Sequence, residues 1–195
     1  MTPAKIEKLQ KKIADIKRRL ASEKRKFGAY DDSRGLRYLP PKYFIRLVDY
    51  GGGLKYTKWF AKQFQDDIGF PDFLFEWTII LFKNGLIKEA EKKAFETFCS
   101  NTYLLDKFFS KPVIPIDKWE GSNLEAPSFT EFFEYSCKQI ELLDFSAWLN
   151  NIIQSEKFLN AGIKFIEMQK RLKNEHDYEA RTYLVNASCQ LANEF

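Results

Sequence analysis

His176 is the one histidine in the 195-residue chain, and the segment NEHDYEAR places it between Glu175 and Asp177. An imidazole beside carboxylates could act as a general base or as a metal ligand. A zinc site, however, needs further histidines or closely spaced cysteines, and a His-activated nucleophile usually sits on a glycine-flanked turn. The sequence has neither pattern. Because acidic residues favour the N-terminus of a helix, we interpret this segment as a turn that caps the last helix.

The glycine triplet at residues 51–53 precedes a predicted helix that carries Lys55 and Lys58. Backbone N–H groups at such a junction can bind phosphate. The phosphate-loop motif, however, follows a strand and contains a Gly-Lys-Ser/Thr step, and neither feature is present here. We therefore predict that the triplet is a hinge between two helices.

Two pairs of adjacent carboxylates, Asp31-Asp32 and Asp66-Asp67, lie in segments rich in turn-forming residues. Paired carboxylates can serve acid–base chemistry, but Asp is also an ordinary turn residue. We interpret both pairs as solvated turn residues. Since no catalytic constellation, metal-ligand spacing or cofactor motif is found, we expect a non-catalytic protein without a bound metal or cofactor.

The three cysteines, Cys99, Cys137 and Cys189, are widely spaced and fall within helical patterns. An odd number without close spacing favours reduced thiols over a disulfide framework. No apolar signal segment follows Met1, and the longest apolar stretch, residues 73–82, is too short to span a bilayer. We therefore expect a cytoplasmic protein with no membrane span.

Hydrophobic spacing predicts helices along most of the chain, and no segment alternates for long enough to predict a sheet. In the first helix, residues 3–27, apolar residues recur three and four apart, with Pro3 in the first turn and Gly28 at the end. Ser128 and Glu131 form a capping-box pattern before a later helix. The predicted helices after the first span residues 42–50, 54–64, 71–83, 87–98, 101–109, 129–143, 145–154, 155–173 and 176–193.

These elements predict an all-α fold, either an irregular helical-repeat array or a helical bundle with a long basic amphipathic N-terminal helix. We expect residues 1–27 to form that helix and residues 28–195 to form a single all-α domain. Within the domain, three prolines predict an irregular loop at about residues 110–128. Hydrophobic residues make up 45% and aromatic residues 16% of the chain, which indicates an ordered, Phe-rich interior.

The segment LFKNGLIKEAEKKAFETF, residues 81–98, has a tight turn at residues 83–85 and small residues, Ala90 and Ala94, after it. The glycine of the turn reverses the chain, and the alanines let two antiparallel helices approach closely. In these features, residues 71–101 resemble one helical hairpin of the tetratricopeptide repeat family. The resemblance implies a helical surface that offers a groove to another protein.

The first helix carries most of the charge asymmetry of the chain. Residues 1–27 hold 10 basic and 3 acidic residues, a net +7, whereas the remaining residues hold 21 basic and 24 acidic, a net −3. Like charges flanking the apolar stripe disfavour a parallel homodimeric coiled coil. Two interpretations stay open: a solvated or internally paired cationic face, or a face that engages an acidic partner or binds a polyanion without sequence preference. The polyanion-binding candidates are Lys11, Lys12, Arg18, Arg19, Arg25 and Lys26.

Five aromatic residues are candidate anchors for a protein partner, because binding hot spots favour aromatic side chains. The alternative is that they form the core. We therefore expect an adaptor-like binding protein that recognises a protein partner, such as an antitoxin, an immunity protein or an inhibitor. The alternative function is sequence-independent binding of nucleic acid or an anionic surface through residues 1–27. The five aromatic candidates are Tyr43, Phe44, Tyr56, Trp59 and Phe60.

Overall fold

A computed structural model describes residues 1–30, 32 and 34–195, the side chains of residues 193 and 194 excepted. Within these residues every regular element is a helix, which confirms the predicted all-α class. The chain divides into two units, residues 1–86 and residues 87–195. The α-helices are α1 (Pro3–Phe27), α2 (Pro40–Arg46), α3 (Tyr50–Gln63), α4 (Pro71–Lys83), α5 (Ile87–Ser100), α6 (Leu104–Phe108), α7 (Leu143–Ile153), α8 (Glu156–Asn174) and α9 (Tyr178–Glu194).

Helix α1 has the predicted bounds. Pro3 lies in its first turn, and Gly28 follows its last residue with a φ of 73°. The Gly28 N–H donates to the Lys24 carbonyl, so the end of the helix is capped by a residue without a Cβ. The expected domain boundary at residue 27 does not coincide with the division into units, because α1 packs on α2 and on the 3₁₀ turn Leu36–Tyr38.

Helix α4 is the centre of the first unit. Its residues are buried on nearly every side, as expected for a helix without a polar face. Helices α2 and α3 pack against it and against each other. Aromatic rings fill the space between these helices, and the ring centroids of Phe60 and Phe73 lie 4.6 Å apart. The large buried side chains of this unit include Phe44, Tyr56, Phe60, Phe73, Phe75, Ile79 and Ile80.

The glycine triplet is the first turn of α3, so the predicted hinge is wrong. The Asp49 carboxylate accepts a hydrogen bond from the Gly52 N–H at 2.8 Å and thereby caps the helix. A negative charge already lies at this helix start, which disfavours phosphate there. The glycines instead permit close packing, since a Cβ on Gly53 would lie 2.9 Å from Ile80 Cδ1.

The second unit is built around α5, α8 and α9, which pack against one another, while α7 packs on α8. Phe95 of α5, Phe145 of α7 and Leu172 of α8 are fully buried. Phe rings dominate this interior as they do in the first unit, and the Phe95 and Phe158 rings meet edge to face at 5.3 Å. The expected Phe-rich core is therefore found in each unit.

The predicted irregular loop is confirmed and lies between α6 and residue 127. Specific hydrogen bonds hold it in place of secondary structure. The buried Asn101 side chain donates to the Leu124 carbonyl at 2.7 Å, and its oxygen accepts from the Tyr103 N–H at 3.0 Å. The backbone N–H of Trp119 donates to the backbone carbonyl of Gln169 in α8 at 2.9 Å.

The predicted helix at residues 129–143 is wrong. Two short 3₁₀ turns, Pro127–Phe132 and Ile140–Leu142, take its place, and the chain is extended at Phe133. Pro127 fixes the start of the first 3₁₀ turn. This turn therefore begins before Ser128, and the Ser128–Glu131 capping box does not form. The buried Phe133 then packs in an extended conformation that ends the turn.

The segment that resembles a tetratricopeptide hairpin contains α4, a turn with Gly85 at a φ of 73°, and α5. The division into units falls directly after this turn, at Leu86. Helix α4 packs on α2 and α3, and α5 packs on α8 and α9. The resemblance stays a prediction.

Replacing Gly53 by Ala should lower the free energy of unfolding by about 1–2 kcal/mol, because the added methyl group overpacks the α2–α3–α4 core. Its Cβ would meet the fully buried Ile80 at 2.9 Å and the Phe44 Cβ at 3.3 Å. Urea denaturation followed by circular dichroism measures the change.

Gly51→Ala is the matched control in the same helical turn, since a Cβ there meets nothing within 4 Å. Alanine also favours a helix over glycine by about 0.5–1 kcal/mol. This variant should be as stable as the parent or more stable. Equal destabilisation by both substitutions would contradict the packing argument.

Candidate polyanion-binding face of helix α1

Three apolar residues dock α1 on the rest of the first unit. Ile13, Ile16 and Leu20 are spaced three and four apart and are buried. Ile13 belongs to a core cluster with Phe44 and Tyr56. Because one side of the helix is fixed in this way, the opposite side faces solvent.

The predicted aromatic anchors lie beneath and beside this docking stripe. Phe44, Tyr56 and Phe60 are 5%, 2% and 1% exposed, so they have almost no surface for a partner in this structure. They act as core residues, which is the alternative that the sequence left open. Tyr43 and Trp59 are half-buried and pack against the same clusters.

Three lysines on the flanks of α1 contact the aromatic rings of the body. Each amino group lies over a ring face, an arrangement that stabilises by about 0.5–1 kcal/mol at exposed sites. These lysines therefore help to dock the helix, and one of them, Lys12, is a predicted polyanion-binding residue. The contacts, measured from Nζ to ring centroid, are Lys12 over Tyr43 (5.4 Å), Lys17 over Phe44 (5.4 Å) and Lys24 over Tyr30 (4.8 Å).

The solvent side of α1 carries six further cations, which form two rows along the helix. All six are exposed. Arg18 pairs with Asp15, and the other five make no ion pair or hydrogen bond with a residue that the structure describes. We call these six residues the outer cations: Lys11, Arg18 and Arg25 in row one, and Lys8, Arg19 and Lys26 in row two.

Five of the six predicted polyanion-binding residues are thus outer cations, and Lys12 is the exception. Lys8 was missed, although its position one turn before Lys11 could have identified it. Two acidic residues, Glu7 and Asp15, share this side of the helix, so the outer cations retain a net excess of four charges. Arg25 and Lys26 also lie in the last turn of α1, where cations stabilise the helix terminus.

A partly buried polar network fixes the connector that follows α1. The Asp32 carboxylate, 2% exposed, accepts hydrogen bonds from the Leu36 and Arg37 N–H groups at 2.9 and 2.7 Å. The Arg37 guanidinium donates to Asp67 at 2.7 Å through Nε and pairs with Asp32 at 3.3 Å through Nη1. One cation thereby joins the connector to the turn between α3 and α4.

Tyr38 completes this network. Its hydroxyl donates to the Asp67 carboxylate at 2.7 Å and accepts from Arg37 at 2.8 Å. Burial of the phenol, together with its hydrogen bond to Asp67, raises the pKa of Tyr38 to about 12. The hydroxyl therefore keeps its proton, and the network is structural rather than a source of a phenolate.

The prediction that both carboxylate pairs are solvated is therefore wrong. Asp66 is exposed, but Asp67 and Asp32 are held by Arg37 and by backbone N–H groups. Asp31 lies outside the described residues. The correction has a simple cause: a turn carboxylate next to a partly buried guanidinium exchanges water for a charge-assisted hydrogen bond.

His176 is exposed, and its neighbours cap α9 as predicted. The Asp177 carboxylate accepts from the Ala180 N–H at 2.8 Å, and the Glu175 carboxylate accepts from the backbone N–H groups of His176 and Asp177. Among the described residues, no cluster of His, Cys, Asp and Glu side chains could hold a metal ion. Burial raises the pKa of the Cys99 thiol, which disfavours the reactive thiolate.

In the part of the chain that the structure covers, each helix is too short or too polar to cross a lipid bilayer. Comparison of the chain with models of protein families, with curated proteins and with solved structures found no match.

Replacing Asp67 by Ala should lower the free energy of unfolding by about 2 kcal/mol or more, because the substitution removes the acceptor of the Arg37 Nε–H and of the Tyr38 hydroxyl, both partly buried. Asp66→Ala is the neighbouring control and should change stability by less than about 0.5 kcal/mol. Chemical denaturation of both variants measures the difference. Equal stabilities would show that the hydrogen bonds to Asp67 contribute nothing.

Proposed function

We propose that this chain is a non-catalytic protein that binds the phosphate backbone of nucleic acid, without reading its sequence, through the outer cations of α1. The observation that carries the proposal is the state of the two sides of this helix. The apolar side is already buried against the body, while five outer cations are exposed and make no ion pair with a described residue. When such cations contact phosphates, they release the counterions that are condensed on the nucleic acid.

The same arrangement argues against an anionic membrane surface as the ligand. Interfacial amphipathic helices bind membranes by burying their apolar face in the lipid headgroup region. In this chain the apolar residues Ile13, Ile16 and Leu20 are packed in protein, so membrane insertion would require α1 to leave its unit. Nucleic acid needs only the charged side. A cytoplasmic location, expected from the cysteine pattern, belongs to the same proposal.

Reversing three outer cations, Lys8→Glu, Lys11→Glu and Arg19→Glu, should weaken nucleic-acid binding by about 100-fold at about 0.1 M salt, because each phosphate contact contributes roughly one released counterion. None of the three makes a described ion pair or hydrogen bond, so folding should be retained. Fluorescence anisotropy with a labelled oligonucleotide of mixed sequence measures the affinity.

The matched control makes the same change in net charge on the second unit: Lys88→Glu, Lys138→Glu and Lys164→Glu, all at exposed positions. This variant should lose much less affinity. Equal losses in both variants would mean that net charge, and not the α1 face, determines binding. Circular dichroism spectra of both variants confirm that each remains helical.

Binding of a protein partner is a second candidate, which we propose for the second unit. Leu159 and Ile163 lie one turn apart on α8 and are 50% and 56% exposed, and Leu143 of α7 is similarly exposed. Neighbouring exposed apolar side chains on one helix are typical of interaction surfaces. The resemblance of residues 71–101 to a tetratricopeptide hairpin supports the same candidate.

A pull-down from nuclease-treated cell extract tests this second candidate. The double substitution Leu159→Asp with Ile163→Asp should remove a bound protein, because it places charges on the contact surface. Ile68→Asp, at a position that is 87% exposed in the first unit, is the control and should retain the partner. A protein retained by the parent chain, the double variant and the Ile68→Asp variant alike would exclude the α8 surface as its binding site.

A further inference from the structure

The outer cations lie in two rows on one uninterrupted helix. Row one, Lys11, Arg18 and Arg25, repeats every seven residues, or about 10.5 Å along the axis. Row two lies about a quarter of a turn around the helix, since Arg19 and Lys26 each follow a row-one residue directly. Lys12 follows Lys11 in the same way, but its amino group lies over the Tyr43 ring, so it is not counted in the row. At a helix diameter of 10–12 Å, the rows are roughly 8 Å apart.

Two rows at this separation suit a ligand that has two phosphate backbones. The minor groove of duplex DNA is about 6 Å wide and the major groove about 12 Å wide, so two strands border a groove at a distance that flexible Lys and Arg side chains can match. Lys8 and Lys26 are about 27 Å apart along the axis of α1, a length that spans at most about eight base pairs of a duplex. A single strand offers only one backbone.

The composition of the helix also argues against a single-stranded ligand. Proteins that bind single strands combine cations with aromatic side chains on which the bases stack. Phe27, at the end of α1, is the one aromatic residue of this helix. The neighbouring rings of Tyr30, Tyr43 and Trp59 are half-buried and lie under lysines or against other rings. The outer side of α1 therefore offers charge without a stacking platform.

We propose that the ligand of α1 is a nucleic-acid duplex whose two backbones each contact one row of outer cations. This inference rests on the proposed function and specifies its ligand. The shared chemistry is a pair of phosphate backbones, which duplex DNA and duplex RNA both supply. The docked apolar stripe holds the helix so that both rows face the ligand together.

Anisotropy titrations of the full chain with a duplex DNA, a duplex RNA and a single strand, each about 24 nucleotides long, test the inference. We expect the duplex to bind about tenfold more tightly than the single strand at about 0.1 M salt, because contacts from both rows release more counterions than contacts from one row. Affinity should rise with duplex length up to about 10 base pairs and increase little beyond it. A preference between the two duplexes identifies the source of the phosphates.

Two matched double variants test the rows separately: Lys11→Gln with Arg25→Gln in row one, and Lys8→Gln with Arg19→Gln in row two. Each should reduce the magnitude of the salt-dependence slope on duplex by about 2, because each removes two phosphate contacts. Phe27→Ala, which removes a ring that is 66% exposed, should change duplex affinity by less than about twofold.

The possible failures are distinguishable. A single strand that binds as tightly as the duplex, with α1 charge reversal still abolishing binding, would overturn the duplex inference and leave the proposed function intact. Loss of affinity from one row only would likewise overturn it. Binding to none of the three nucleic acids at about 50 mM salt, or binding only to phosphatidylserine vesicles, would overturn both proposals.

Discussion

The burial of Ile13, Ile16 and Leu20 is the interaction on which the character of the first unit depends. Full burial of an aliphatic side chain stabilises a fold by about 1.5–3 kcal/mol, so three such residues can hold a helix of high positive charge against its own repulsion. They also fix its rotation. A rotation of α1 by half a turn would bury the outer cations without partners, which is far more costly than leaving them in water. The apolar stripe thus determines which cations remain available for an anionic ligand.

The surface on which α1 docks is built by close packing of aromatic side chains. Phe44 and Tyr56 contribute to the core cluster that contains Ile13, and the glycines at the start of α3 allow α2, α3 and α4 to approach closely. Lys12 and Lys17 extend over the edges of this surface and contact ring faces. Apart from Lys5, the cations of α1 consequently fall into two groups: those on the flanks stabilise the docked helix, and those on the outer side remain solvated.

The connector after α1 is held by charge as well as by packing. Arg37 bridges Asp32 and Asp67, and the Tyr56 hydroxyl donates to the Arg37 carbonyl at 2.7 Å. Such a network is stable only when each buried polar group has a partner. The connector links α1 to the 3₁₀ turn at residues 36–38, on which the helix also packs. The position of the basic face therefore depends on a second set of interactions, distant from it in sequence.

The sequence by itself determined the all-α class, the bounds of α1, its charge asymmetry and five of the six outer cations, because helical periodicity and local charge are properties of neighbouring residues. It did not determine that Phe44, Tyr56 and Phe60 are core, since an aromatic side chain has the same local pattern in a core and at an interface. It misplaced the glycine triplet and the helix at residues 129–143, where steric fit to Ile80 and the packing of Phe133 override local preference. It also gave no sign that Asp67 pairs with Arg37, 30 residues away. Only tertiary structure decides such contacts, because burial and ion pairing depend on which distant side chains share the same space.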